Sequence, residues 1–259
     1  MIKSTTHLIA AVSLIVAVAA CSDTTGGKNV THQVVLSSPL AAESYAAQNG
    51  WSVKVDRGWI GIDSIRIYDG DAAFASGSPA KGFFSIKRAY AHPGHYVPGT
   101  LRGEYVTPIS VDLLQQSSPL GTANGISGTV RSAVFRFSSV AAPFTSELSG
   151  NAMVIEGTAT RDPERKTFRV EIAPDELTSS DATPTIAGST LDAVDVQADG
   201  VITMVLVPGV WFSQMDFTML ESAAAGGAPR VLTKSEPQRN AFVRGIKSST
   251  GYHFRYVAK

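Results

Sequence analysis

Hydrophobic positions along this chain recur mostly with a period of two. Thr167-Phe168-Arg169-Val170-Glu171-Ile172 sets Phe168, Val170 and Ile172 on one face and charges on the other, the pattern of a half-buried strand. Residues 251–257 repeat it, with Tyr252, Phe254 and Tyr256 inward and His253 and Arg255 outward. Residues 201–207 are apolar on both faces, as in a strand covered on both sides, and Pro208-Gly209 stops them. Further strands are predicted over 33–36, 51–55, 59–68, 82–90, 109–114, 129–137, 153–160 and 191–196. Within 59–68, Ile60 and Ile62 share one parity and Ile65 and Ile67 the other, so a bulge is expected near Asp63-Ser64.

Helix signals are few. Ser38-Pro39 followed by Leu40 to Gly50 offers a cap, a first-turn proline and a terminating Asn49-Gly50, and Ser235-Glu236-Pro237 opens a second candidate through Ile246. Closely spaced strands joined by Gly-, Pro- and Ser-rich loops predict an all-β fold, an antiparallel β-sandwich of jelly-roll or immunoglobulin-like kind with one or two short helices. Residues 30–259 read as one such domain, since all-β domains often reach that size undivided. The one candidate cut, near 179–190, is the polar stretch Ser179-Ser180-Asp181-Ala182-Thr183-Pro184, which reads equally well as a long loop.

The N-terminus follows a different rule. Lys3 precedes an uncharged run from Leu8 to Val18, the length of a signal-peptide core and too short to span a bilayer. The run ends in Val18-Ala19-Ala20-Cys21, which resembles the lipobox of bacterial lipoproteins. The chain's single cysteine falls where that pattern requires it. An ordinary secretory signal cleaved after Ala20 would share the small-residue ending. The resemblance implies that residues 1–20 are removed, that Cys21 becomes the acylated first residue, and that two or more acyl chains hold the protein on the bilayer. Residues 21–29 then form a flexible tether of small polar side chains. Ser22 after the cysteine implies the outer membrane of the cell envelope over the inner one.

Composition narrows the remainder. The 259 residues carry 22 basic and 22 acidic side chains, so nucleic acid is not an expected partner and electrostatics cannot hold the chain on a membrane. One cysteine excludes an internal disulfide and any site built from several thiolates. With Cys21 committed to lipid, a thiol nucleophile is excluded too. The sequence contains no Gly-x-Ser-x-Gly elbow, phosphate-binding Gly-rich loop, dinucleotide fingerprint or His-Glu-x-x-His zinc helix. The expectation is a protein that is not an enzyme; a hydrolase stays open as an alternative, because a glycosidase carboxylate pair can lie anywhere in a sequence.

One segment carries candidate chemistry. Two of the five histidines, His92 and His95, flank Pro93-Gly94, the residue pair a type II turn prefers, and such a turn brings its ends within about 7 Å. Imidazoles so placed suit Cu or Zn. Glu104 is the expected third ligand, with His32 and His253 as alternatives; Met215 or Met219 would point to Cu(I). An exposed connection with solvated histidines fits the same residues. Asp69 and Asp71 around Gly70 could contribute to a calcium loop but read more simply as a turn. The aromatic run from Trp211 to Phe217 reads as core. Two readings follow: a ligand-binding envelope lipoprotein with a transition metal at His92, His95 and Glu104, or an interaction module of the envelope whose loops meet another protein or glycan.

Overall fold

The computed structural model describes residues 27–72, 96–178, 182–221 and 227–259. Thirteen strands appear among them: β1 (Asn29–Ser37), β2 (Ser44–Ala46), β3 (Ser52–Tyr68), β4 (Leu101–Tyr105), β5 (Ile109–Asp112), β6 (Ser117–Ile126), β7 (Gly128–Phe137), β8 (Met153–Arg161), β9 (Glu164–Ile172), β10 (Thr185–Val196), β11 (Gly200–Leu206), β12 (Arg230–Val231) and β13 (Tyr252–Ala258). The described α-helices are α1 (Thr145–Leu148), α2 (Pro208–Phe212) and α3 (Pro237–Ile246). The fold is all-β with a few short helices, as the alternation predicts.

Strand β3 organises the molecule. Its first half pairs with β8 along one edge and with β2 and β5 along the other, and β8 continues the sheet through β9 to β12. Its second half pairs with β4 and β7 instead. From β4 the hydrogen-bonded path runs through β6, β1, β11, β13 and β10 to β7, which returns to β3. Eight strands therefore close into a ring, and closure leaves those strands without a free edge. The register on β3 shifts between Ile62 and Ser64, where the change of parity among its isoleucines predicts a bulge. Residues 51–55 and 59–68, which read as two strands, are one strand broken in register near Val55 and Arg57.

Three pairings depart from the antiparallel expectation: β1 with β11, β10 with β13 and β9 with β12 are parallel. Each joins strands distant in sequence, so alternation within a strand carries no sign of direction. The predicted helix over 40–50 is not formed. Ser38 donates its hydroxyl to Leu113 O at 2.5 Å instead of capping a helix, and Tyr45 pairs opposite Val53 with its ring stacked on Phe212. Burial of Leu40 and Tyr45 overrides helix propensity there. The second predicted helix is α3. The predicted strand over 82–90 lies outside the described residues.

The ring has two unlike ends. At the base, β11 leads into α2 and β13 begins. Trp211, Phe212, Phe242, Tyr252 and Phe254 are all buried there, with Trp211 and Tyr252 ring centroids 5.8 Å apart and Phe135 and Tyr252 at 4.6 Å. A Cβ on Gly245 of α3 would lie 2.7 Å from the Trp211 Cα, so the two helices meet backbone to backbone. The other end, where β1 and β11 start and β6 and β13 finish, carries no helix among the described residues and is called the mouth.

Phe254→Ala, at the floor of the ring, is expected to lower unfolding stability by about 3–5 kcal/mol, whereas Arg255→Ala on the solvent face stays within about 0.5 kcal/mol. Urea unfolding of both variants checks this; equal losses would contradict the assigned faces.

A candidate ligand site at the mouth of the ring

Strand β1 buries alternate residues: Val30, His32, Val34 and Leu36 point into the ring. His32 thus occupies a core position beside the mouth, opposite Gly200 on β11 and Ala123 on β6. Small neighbours make this feasible. A Cβ on Gly125 would stand 3.1 Å from His32 Nε2, and one on Gly200 would stand 2.4 Å from the Tyr256 ring. The His32 and Tyr256 rings meet edge to face at 5.5 Å, and Tyr256 donates its hydroxyl to Ala198 O at 2.8 Å. Burial pushes the Tyr256 phenol up from its ordinary range.

His32 is 3% exposed, yet its Nδ1 has no hydrogen-bond partner within the protein. Burial holds the His32 pKa below the ordinary value of 6.5, with the Asp199 charge opposing part of that shift. The ring is therefore neutral near pH 7. A buried imidazole nitrogen left without a partner costs about 1–3 kcal/mol, so such groups call for an explanation.

All eight strands of the ring contribute to the space around His32: Ile67, Arg102, Gly103, Ile126, Val130, Leu191, Val196, Ile202 and Tyr256 complete its lining. The enclosed part is about 10 Å³, roughly the volume that one water needs. Arg102, Gly103 and Ile126 also line a shallower groove of about 320 Å³ with Asn29, Leu101, Glu104, Val106, Asn124 and Gly125. Arg102 stands where the two meet. Its guanidinium donates to Asp69 Oδ2 at 3.0 and 3.2 Å, and Gly128, at φ +138°, lies against it where a Cβ would come within 3.2 Å. Asp69 also accepts from Thr100 N at 2.7 Å, and that bond, with Arg102, holds its carboxyl below the usual range.

Those sequence-derived candidates that fall among the described residues are dispersed. His92 and His95 lie outside the described residues, as does Cys21. Glu104 accepts from Arg66 Nε at 2.5 Å and faces the groove. His253 points outward, 3.2 Å from Asp192. Met215 is buried in the core and Met219 is exposed. Asp71 pairs with Arg131, so Asp69 and Asp71 serve arginines. Among the described residues, no group of three or more His, Cys, Asp or Glu side chains is placed to hold a metal ion. No described helix is long and apolar enough to cross a membrane.

No family model and no curated protein matches this chain. Among solved structures it is similar to MbnP from Methylosinus trichosporium, at 10% identity and a TM-score of 0.41, covering 90% of this chain and 99% of that one. At that distance the likeness transfers neither ligand nor role.

The central residue of the site was an alternative ligand in the sequence and nothing more. The signal that finds it is the alternation Val30-x-His32-x-Val34-x-Leu36, which puts a histidine among aliphatic core positions once the strand is started at Asn29 instead of Gln33.

The lowered His32 pKa has a defined consequence for stability. Between the folded value and 6.5 the unfolded chain binds a proton that the folded chain does not, so stability falls as the pH drops through that window and is unaffected above it. His32→Leu is expected to lose less stability than the wild type between about pH 7.5 and pH 5.5 in urea unfolding. Equal losses would contradict a neutral, buried His32.

Proposed function

We propose that this chain is a lipid-anchored protein of the cell envelope that binds a small ligand, without catalysing a reaction, at the mouth of its eight-strand ring. One observation carries the reading: a neutral imidazole, surrounded by residues from the seven other strands of the ring, keeps Nδ1 without a protein partner in a cavity that adjoins an open groove. Tyr45 Oη, Ser189 Oγ, Trp211 Nε1 and Arg230 Nε also lack a protein partner among the described residues, but of these residues His32 alone lines the cavity. Glycines at 125 and 200 set aside room for the rings of His32 and Tyr256, which fits a preformed site.

Cu or Zn is the ligand class proposed. Neutral imidazole is the form that coordinates these ions, and His92 and His95 would supply two more imidazoles. Support comes from the flanks of their segment, both of which are held on β7, the strand whose Val130 lines the cavity: Asp71 through Arg131, and Tyr96 through a 2.8 Å hydrogen bond to Ser132. Glu104, turned to Arg66, is the weakest of the proposed ligands. Attachment through acylated Cys21, in the outer membrane, belongs to the same proposal and rests on the lipobox.

Protein isolated from its own envelope without chelator is expected to carry about one equivalent of Cu or Zn by elemental analysis, and to lose it in His92→Ala/His95→Ala. His32→Leu is expected to weaken uptake by about tenfold or more, the usual scale for a lost supporting or ligating imidazole. Glu104→Gln should retain it. Absence of both metals from the wild type, with none taken up on addition, would overturn the metal reading.

A further inference from the structure

We propose that the mouth face is a second contact with the bilayer, so that the ring opens toward the membrane surface to which Cys21 is attached. The inference rests on acylation of Cys21, and adds to it an orientation and a set of contacting residues.

The first described residues fix where the tether joins the fold. Lys28 N donates to Ser127 Oγ at 2.8 Å, Ser127 N donates to Lys28 O at 2.8 Å, and Asn29 stands opposite Ile126 in the β1–β6 register. The tether therefore ends on the rim of the mouth. From Cys21 to Gly27 is six peptide steps, a reach of at most about 20 Å fully extended. An acylated Cys21 lies at the headgroup level, so the rim is held within that distance of the lipid.

The rim is built to tolerate such contact. Ile126 is 40% exposed and Leu101 41%, both at the rim, and they line the groove that Asn29 also borders, with Val106, 60% exposed, further down its wall. Three aliphatic side chains set around a groove next to an anchor form an apolar patch with no cover among the described residues. The charged side chains of the groove are neutralised in pairs, Arg102 with Asp69 and Glu104 with Arg66, and Lys28 adds one exposed positive charge at the rim, the sign that headgroup phosphates accept. Three partly exposed side chains would not hold a free protein on a bilayer. Tethering makes the contact intramolecular, at an effective concentration that short flexible linkers raise to the millimolar range, and a weak contact is then populated. Paired charges also mean that anionic lipid is not required, which separates this contact from the electrostatic kind.

The test uses the full-length acylated protein in phosphatidylcholine vesicles, with a nitroxide label on Ile126→Cys or, as a control, on Met219→Cys. Met219 is 86% exposed and lies beside Phe217 and Thr218, which contact Lys166 and Trp51 at the opposite end of β3. Collision with an aqueous nickel complex is expected to be lower at 126 than at 219 on the order of threefold, and collision with oxygen higher, as for a side chain a few ångströms into the interface. The difference is expected to persist in high salt. A vesicle-bound protein whose two labels are equally open to nickel overturns the docking while leaving the anchor intact. A mass spectrum showing Cys21 unmodified overturns both.

Discussion

The double pairing of β3 is the constraint on which the remaining structure depends. Its first nine residues belong to an open sheet with β8, β9 and β12, and its last seven close the ring between β4 and β7. A strand with both faces and both edges used cannot slip by one residue without exposing a core set on each side. The register shift between Ile62 and Ser64 resolves the conflict between the two halves, because it lets Ile65 and Ile67 be buried although Ile60 and Ile62, of the opposite parity, are buried before them. Without that shift the ring would close on polar side chains.

Closure has an asymmetric result. At the base, aromatic side chains of α2, α3 and β13 fill the interior, and their packing leaves the helices in backbone contact. At the mouth, Gly103, Gly125 and Gly200 replace bulk, and a histidine stands where the pattern of β1 calls for an aliphatic residue. A valine there would satisfy the core at no cost in buried polar groups. The unpartnered Nδ1 of that imidazole is the basis of the proposed ligand site, and β1 begins at the same end.

The fold class was legible because large apolar residues recur at alternate buried positions, Phe168, Val170 and Ile172 on β9, Ile202, Met204 and Leu206 on β11, and Tyr252 and Phe254 on β13. β6 was not, since its inward positions include Ala123 and Gly125 and its sequence holds Pro119 and Gly121. The smallness that makes β6 unreadable as a strand is what makes room for His32. The helix expected over 40–50 failed for a related reason: its cap and proline are local signals, whereas the burial of Tyr45 against Phe212 depends on a partner about 167 residues away. The closing pair β3–β7 and the three parallel pairs are likewise contacts between distant segments, about which periodicity is silent.

The central claim is that the ring mouth, through His32 Nδ1, is where the ligand sits. Nitrogen NMR of the histidine rings, recorded while Zn(II) is added to the metal-free acylated protein, tests it most directly. The account expects His32 to begin as a neutral ring and its Nδ1 resonance to move in step with the first equivalent of metal. A His32 ring that stays unchanged while zinc is taken up by other side chains would contradict it.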